Sequence, residues 1–98
     1  MISVYITCRD KREAKKIARH LITRKLIVCA NIFSIESLYE WKGKAVDSKE
    51  AAMLCKASDA NYAKIEAAVK GMHSYENPCI VSFEWKQASK EYANWVRK

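Results

Sequence analysis

The sequence predicts an α+β two-layer sandwich on the split βαβ plan, ordered β-α-β-β-α-β, with a long central β-hairpin and an extra C-terminal helix. Three observations carry this. Leu26 to Gly43 (LIVCANIFSIESLYEWKG) is strand-like with no break before Trp41-Lys42-Gly43, and a second β-rich stretch, Lys44 to Ala57, answers it. Helical periodicity appears once on each side of that pair. An apolar, strand-like segment stands at each outer flank, Ile2 to Thr7 and Cys79 to Trp85. A hairpin between two helical crossovers puts both helices on one face of an antiparallel sheet.

In chain order, Ile2 to Thr7 (ISVYIT) reads as a central strand. Asp10 is the expected N-cap, and Glu13, three residues on, completes a capping-box-like pair. Ala14, Ile17, Ala18, Leu21 and Ile22 recur at helical spacing, so the first helix runs from about Lys11 to Lys25 with its cations in water. In the long strand, one parity (Cys29, Asn31, Phe33, Ile35, Ser37, Tyr39, Trp41) carries the bulk, while the other begins apolar and ends charged. Strand neighbours point to opposite faces, so the first half reads as buried on both sides and the second as one wet and one aromatic face. A typical strand has about 5–6 residues. This one therefore overshoots its own domain and reaches a second subunit.

Lys42-Gly43 makes the hairpin turn, where glycine supplies positive φ at little cost. Ser58 or Asp59 caps the second helix, Tyr62, Ile65, Ala68, Val69 and Met72 form its stripe, and Gly71 marks its end. His73-Ser74-Tyr75-Glu76-Asn77-Pro78 is a loop by composition. Cys79 to Trp85 is the last main strand, and Ser89 caps a short helix presenting Tyr92, Trp95 and Val96.

Ninety-eight residues make a single domain, 1–98, and 50% hydrophobic content is adequate for its core. Three Trp and five Tyr exceed what so small a core covers, which places some of them at interfaces. No apolar run approaches the ~18–20 residues of a membrane span, and Met1 leads straight into a strand pattern rather than a signal peptide. The expected compartment is the cytoplasm. Cys8, Cys29, Cys55 and Cys79 stand 21, 26 and 24 residues apart with no C-x-x-C pair, so they read as small packing residues rather than a zinc or redox motif. Cys8, beside Arg9, is the expected exception in reactivity, since nearby cations lower a thiol's pKa.

Of the net charge of +7, a net +6 falls in residues 9–25. That helix reads as a solvated face that leaves non-specific polyanion binding open. Specific nucleic-acid binding is not expected, because the central strands offer Tyr5 and little else for stacking; a nucleic-acid module is the third reading. With only Gly43 and Gly71 there is no phosphate-cradling loop, and neither His20 nor His73 accompanies a Ser- or Cys-centred motif, so an enzyme is not expected. The remaining chemistry is metal ligation. His73 and Glu76 share one loop, and a neutral imidazole plus a carboxylate can hold a divalent ion.

The segments Leu26-x-x-Cys29-Ala30-Asn31-Ile32, Ser37-Leu38-Tyr39-x-Trp41-x-Gly43-Lys44, Glu50 and Leu54-x-Lys56 resemble the CutA divalent-ion tolerance proteins. The loop at His73 looks like that family's H-P-Y-x-x-P, and Tyr92-x-x-Trp95 is similar to its Y-x-x-W. The resemblance implies a ferredoxin-like protomer in a homotrimer joined through the long hairpin strands, linked to tolerance of copper and other divalent cations. Of the family's suggested ligands only His73 carries over, and Glu76 joins it from the loop reading as the second metal ligand for a weakly bound ion. Cys29, Asn31, Tyr39, Trp41, Glu50, Lys56 and Tyr75 become candidates for lining a ligand pocket. Ser74 replaces the loop's first proline, Cys79 replaces an acidic residue, and Ala57 stands where threonine is frequent. The family's metal-associated cysteine falls near Ile6, so Cys8 is not its match. The reading is a copper-preferring, regulatory rather than catalytic homotrimer. The alternative is a PII-like signalling module that binds a small ligand or protein partner.

Overall fold

The structure is a computed structural model in which residues 1–97 are described. Its elements are β1 (Ile2–Cys8), α1 (Lys11–Thr23), β2 (Cys29–Trp41), β3 (Lys44–Ala57), a 3-10 turn (Asp59–Asn61), α2 (Tyr62–Met72), β4 (Ile80–Glu84) and α3 (Lys90–Arg97). The four strands form one antiparallel sheet in the order β2-β3-β1-β4. This is the ferredoxin-like split βαβ sandwich that the alternation of elements predicts.

Alternation in β1 decides which face the helices cover. Ile2, Val4, Ile6 and Cys8 are buried, while Ser3, Tyr5 and Thr7 are half-buried on the other side. Register carries the same face into β3, where Ala51, Met53, Cys55 and Ala57 join it. Ala14, Ile17, Ala18 and Leu21 of α1 and Ile65 and Val69 of α2 close this core. Burying each large aliphatic side chain here is worth about 1.5–3 kcal/mol.

Both ends of α1 are fixed by local chemistry. Asp10 accepts the Glu13 amide at 2.9 Å, and Glu13 reaches back to the Arg9 amide at 2.9 Å, the reciprocal cap expected from the spacing. At the other end Lys25 adopts φ 58°, its amide donates to Ile22, and the Leu26 amide donates to Leu21. That is the double bond of a Schellman cap, with lysine where glycine is usual. It ends α1 at Thr23 and turns the buried Leu26 and Ile27 into a link, so β2 begins at Cys29 rather than at Leu26.

Two further expectations change. The first half of β2 is not buried on both sides: β2 is an edge strand, and Asn31 and Phe33 stand exposed on the sheet face away from the helices. Gly71 does not end α2, which runs on to Met72. The hairpin itself is as expected. Trp41 pairs with Lys44, and both intervening residues are left-handed, Lys42 at φ 52° and Gly43 at φ 78°, the pattern of a type I′ turn.

Only Ala51–Ala57 of β3 pairs with β1, so the rest of β3 and its β2 partner form a two-stranded arm beyond the body. The chain extends 45 Å along its longest axis against 26 and 21 Å on the others. Leu38, Tyr39 and Trp41 are exposed on that arm, and Phe33, Val81 and Phe83 on the open sheet face. At the far end α3, capped by Ser89, rests on that face, where Trp85 donates to Ser3 and stacks on Tyr92.

All four cysteines are free, but they are not equivalent. Cys8 and Cys55 are fully buried, while Cys29 and Cys79 are half-buried. Titration of the native protein with a disulfide reagent at pH 8 should therefore modify two thiols at most, with Cys8 and Cys55 reacting only after denaturation. Rapid labelling of Cys55 in the folded state would contradict this packing.

Candidate functional site

The loop after α2 crosses the end of β1. His73 terminates α2, its amide donating to Val69 at 2.9 Å. Its ring then faces inward: Nε2 lies 2.8 Å from the Thr7 carbonyl and Nδ1 3.0 Å from the Tyr75 amide. An amide can only donate, so Nδ1 is the acceptor and Nε2–H donates to Thr7. Both ring nitrogens are thus engaged within the fold.

One residue on, the Ser74 amide donates to Glu13 Oε2 at 2.8 Å. Glu13 is only 7% exposed, and its two oxygens receive the Arg9 and Ser74 amides. Burial alone would raise its pKa, but these hydrogen bonds outweigh it and hold the carboxyl below its ordinary value. The spacing marked Glu13 only as a capping partner, yet here it also anchors the loop. A signal for its burial exists: Glu13, Ile17 and Leu21 fall on one helical row.

Cys8 completes this cluster. One ligand atom each from Cys8, Glu13 and His73 lies within 4.8 Å of the others. Sulfur, oxygen and nitrogen together suit a borderline or soft ion. The cluster is not preset for one. Burial, then the charges of Glu13, Asp10 and Glu50, push the Cys8 thiol up to about 12, so it carries its proton at neutral pH. This reverses the expectation that Arg9 makes Cys8 reactive. An incoming ion has to displace that proton and one imidazole hydrogen bond, while Glu13 keeps spare lone pairs.

Thr7 and Cys8 face opposite sides of the sheet, and on the Thr7 side the loop and the arm enclose a groove of about 820 Å³. Five of the sequence candidates line it: Tyr39, Trp41, Glu50, Tyr75 and Glu76. The Tyr75 hydroxyl donates to Glu50 Oε2 at 2.6 Å, and burial together with that bond raises the phenol's pKa. His73 is not part of this lining, so the two expected ligands of the loop serve different neighbourhoods, with Glu76 exposed on the groove wall.

The other three candidates lie at the opposite end of the sheet. Lys56 donates to Asn31, and Cys29 sits 3.6 Å from the Tyr92 hydroxyl under α3. Lys56 also lines a smaller hollow of about 320 Å³ with Ser3, Trp85 and Tyr92.

Comparison with known proteins gives a consistent result. The family model described as CutA1 divalent ion tolerance protein matches residues 2–98. The divalent-cation tolerance protein CutA of Archaeoglobus fulgidus is 39% identical over 93 residues, 95% of this chain and 91% of its own. That of Thermotoga maritima is 36% identical over 98 residues, 100% of this chain and 97% of its own. Among solved structures, the A. fulgidus protein, described as a periplasmic divalent cation tolerance protein, superposes with TM-score 0.95 at 38% identity, covering 99% of this chain and 96% of that one. CutA1 of Oryza sativa superposes with TM-score 0.94 at 31% identity, covering 98% and 89%.

The Glu13 anchor has a pH signature. Its folded pKa is depressed, so the stability it contributes is present above its ordinary value of 4.5 and is lost as pH falls through the lower folded value. In metal-free protein, Glu13→Gln should lower unfolding free energy by about 1–3 kcal/mol at pH 7, and the gap from the parent should narrow as pH falls below the ordinary value of 4.5. Denaturant melts at pH 7 and pH 3 measure this, and a gap that is the same at both would refute the assignment.

Proposed function

Because this chain belongs to the CutA1 divalent ion tolerance family, we propose that it binds divalent cations, copper in preference, as a homotrimer with a regulatory rather than a catalytic role. The observation that carries the reading is the Cys8–Glu13–His73 cluster, which gathers three different donors under the loop at the end of β1. His73 keeps the role the loop motif suggests, with Cys8 and Glu13 beside it, and the bound ion would be held by thiolate, carboxylate and imidazole. Glu76, with Glu50, supplies negative charge on the neighbouring groove wall. Binding is weak, on the order of micromolar, since the thiol proton and a hydrogen bond are lost on entry.

The trimer is supported by the arm and by the open sheet face, whose Phe33, Val81 and Phe83 no element of the protomer covers. Both β2 and β4 are edge strands, which leaves backbone groups free for a neighbour. Among the described residues no helix is long and apolar enough to cross a membrane. The four free thiols favour a reducing compartment, and a cytoplasmic location is the proposal.

Calorimetric titration with copper(II) tests the site. The parent should bind copper more tightly than zinc or nickel. His73→Ala should weaken copper at least about tenfold while sedimentation shows the same oligomer. Because the ion replaces the Cys8 proton, parent affinity should fall by about a factor of ten for each unit that pH drops near neutrality. A His73→Ala variant that binds as tightly as the parent would remove His73 from the site. For the assembly, sedimentation equilibrium should show a trimer at micromolar concentration that Phe33→Asp with Phe83→Asp breaks. A stable parent monomer would refute it.

A further inference from the structure

We propose that the outward face of α1 is a docking surface for the phosphate backbone of nucleic acid, engaged through charge and without reading sequence. Arg9, Lys11, Arg12, Lys15, Lys16, Arg19, Arg24 and Lys25 are all exposed. The acids of this segment do not neutralise them. Glu13 is turned inward to the Arg9 and Ser74 amides, and Asp10 is bonded to Arg9. Among the described residues, the other seven cations form no salt bridge.

Helix stability alone does not account for this arrangement. Lys11, Lys15 and Arg19 follow one another at i, i+4, as do Arg12 and Lys16, and like charges at that spacing destabilise a helix. Lys11 and Arg12 also occupy the first turn, where the helix dipole disfavours cations. Arg24 and Lys25, at the C-terminal end, suit the dipole and need no further cause. What remains is a row of cations about 6 Å apart along a helix about 20 Å long. α2 lies in the same layer and adds the exposed Lys64, whereas its Lys70 is paired with Glu66.

The partner follows from what the face lacks. The apolar side of α1 is committed to the core through Ala14, Ile17, Ala18 and Leu21, and only Ile22, 45% exposed, is available to enter a bilayer. A helix that inserts into a membrane interface needs a free apolar side. α1 carries no Phe, Tyr or Trp for stacking on bases and its single imidazole, His20, is half-buried, so contact is with phosphates. The face lies on the helical layer, opposite the open sheet face, so self-association through the sheet leaves it accessible. The proposal is independent of the cation reading.

The test is fluorescence anisotropy of the whole chain with a labelled duplex of arbitrary sequence, about 20 base pairs long, and a single-stranded RNA of similar length. Each engaged phosphate contributes about −0.9 to the slope of log affinity against log salt for duplex. Five helix cations then predict a slope near about −4.5 and a loss of about 500-fold between 50 and 200 mM salt. Lys15→Glu with Lys16→Glu and Arg19→Glu should abolish binding with circular dichroism and oligomer unchanged. A charge-matched variant, Lys44→Glu with Lys49→Glu and Lys86→Glu, should keep most of it. Absence of binding at 50 mM salt, or equal loss in both variants, overturns the proposal. So does binding to phosphatidylserine vesicles without nucleic-acid binding, which would assign the face to a membrane surface.

Discussion

β1 has seven residues and β3 has fourteen, and their antiparallel register ends where Cys8 meets Ala51. Beyond that point β3 has only β2 for a neighbour. The sheet there has no helix above it, and hydrophobic side chains of the arm find no cover within the protomer. At the same point β1 leaves a step that the loop after α2 fills. The arm, the groove and the buried donor cluster are therefore consequences of one mismatch in strand length. A longer β1 would shorten the arm and run into the place that the loop now fills.

The step is closed by polar groups, which needs compensation because buried acceptors and donors without partners cost about 1–3 kcal/mol each. Glu13 supplies it. One carboxylate serves the first turn of α1 and the backbone of the loop, and no buried side-chain nitrogen or oxygen among the described residues is left without a partner. His73 works the same way on the other flank, joining Thr7 to Tyr75. These residues are structural cross-links first, and the proposed ion would compete with the fold for them.

The order of elements was legible because each depends on local signals: alternation in β1, the stripe of α1, the Asp10–Glu13 spacing and the Lys42-Gly43 turn. The start of β2 was not, since Lys25 in a left-handed cap has no mark that distinguishes it from any other lysine. Exposure of Asn31 and Phe33 depends on strand order, which a single strand's pattern does not contain. The site divides along the same line. Tyr39, Trp41, Glu50, Tyr75 and Glu76 come from three distant segments; likeness to a family named the first four together, and Glu76 was legible only as a neighbour of His73 in its loop. Cys8 and His73 are 65 positions apart, and only the step at the end of β1 brings them into one cluster.

The crowding of positive charge on α1 also bears on how fast an ion arrives. A chain with net charge +7 repels a dication at long range, so diffusional encounter is slower than for a neutral protein. Dissolved salt shortens the reach of that repulsion to about 8 Å at physiological strength. Glu50 and Glu76 place two carboxylates on the groove, on the sheet face away from the helical layer. On the proposed reading, added electrolyte should therefore speed the association of a dication with this protein instead of slowing it.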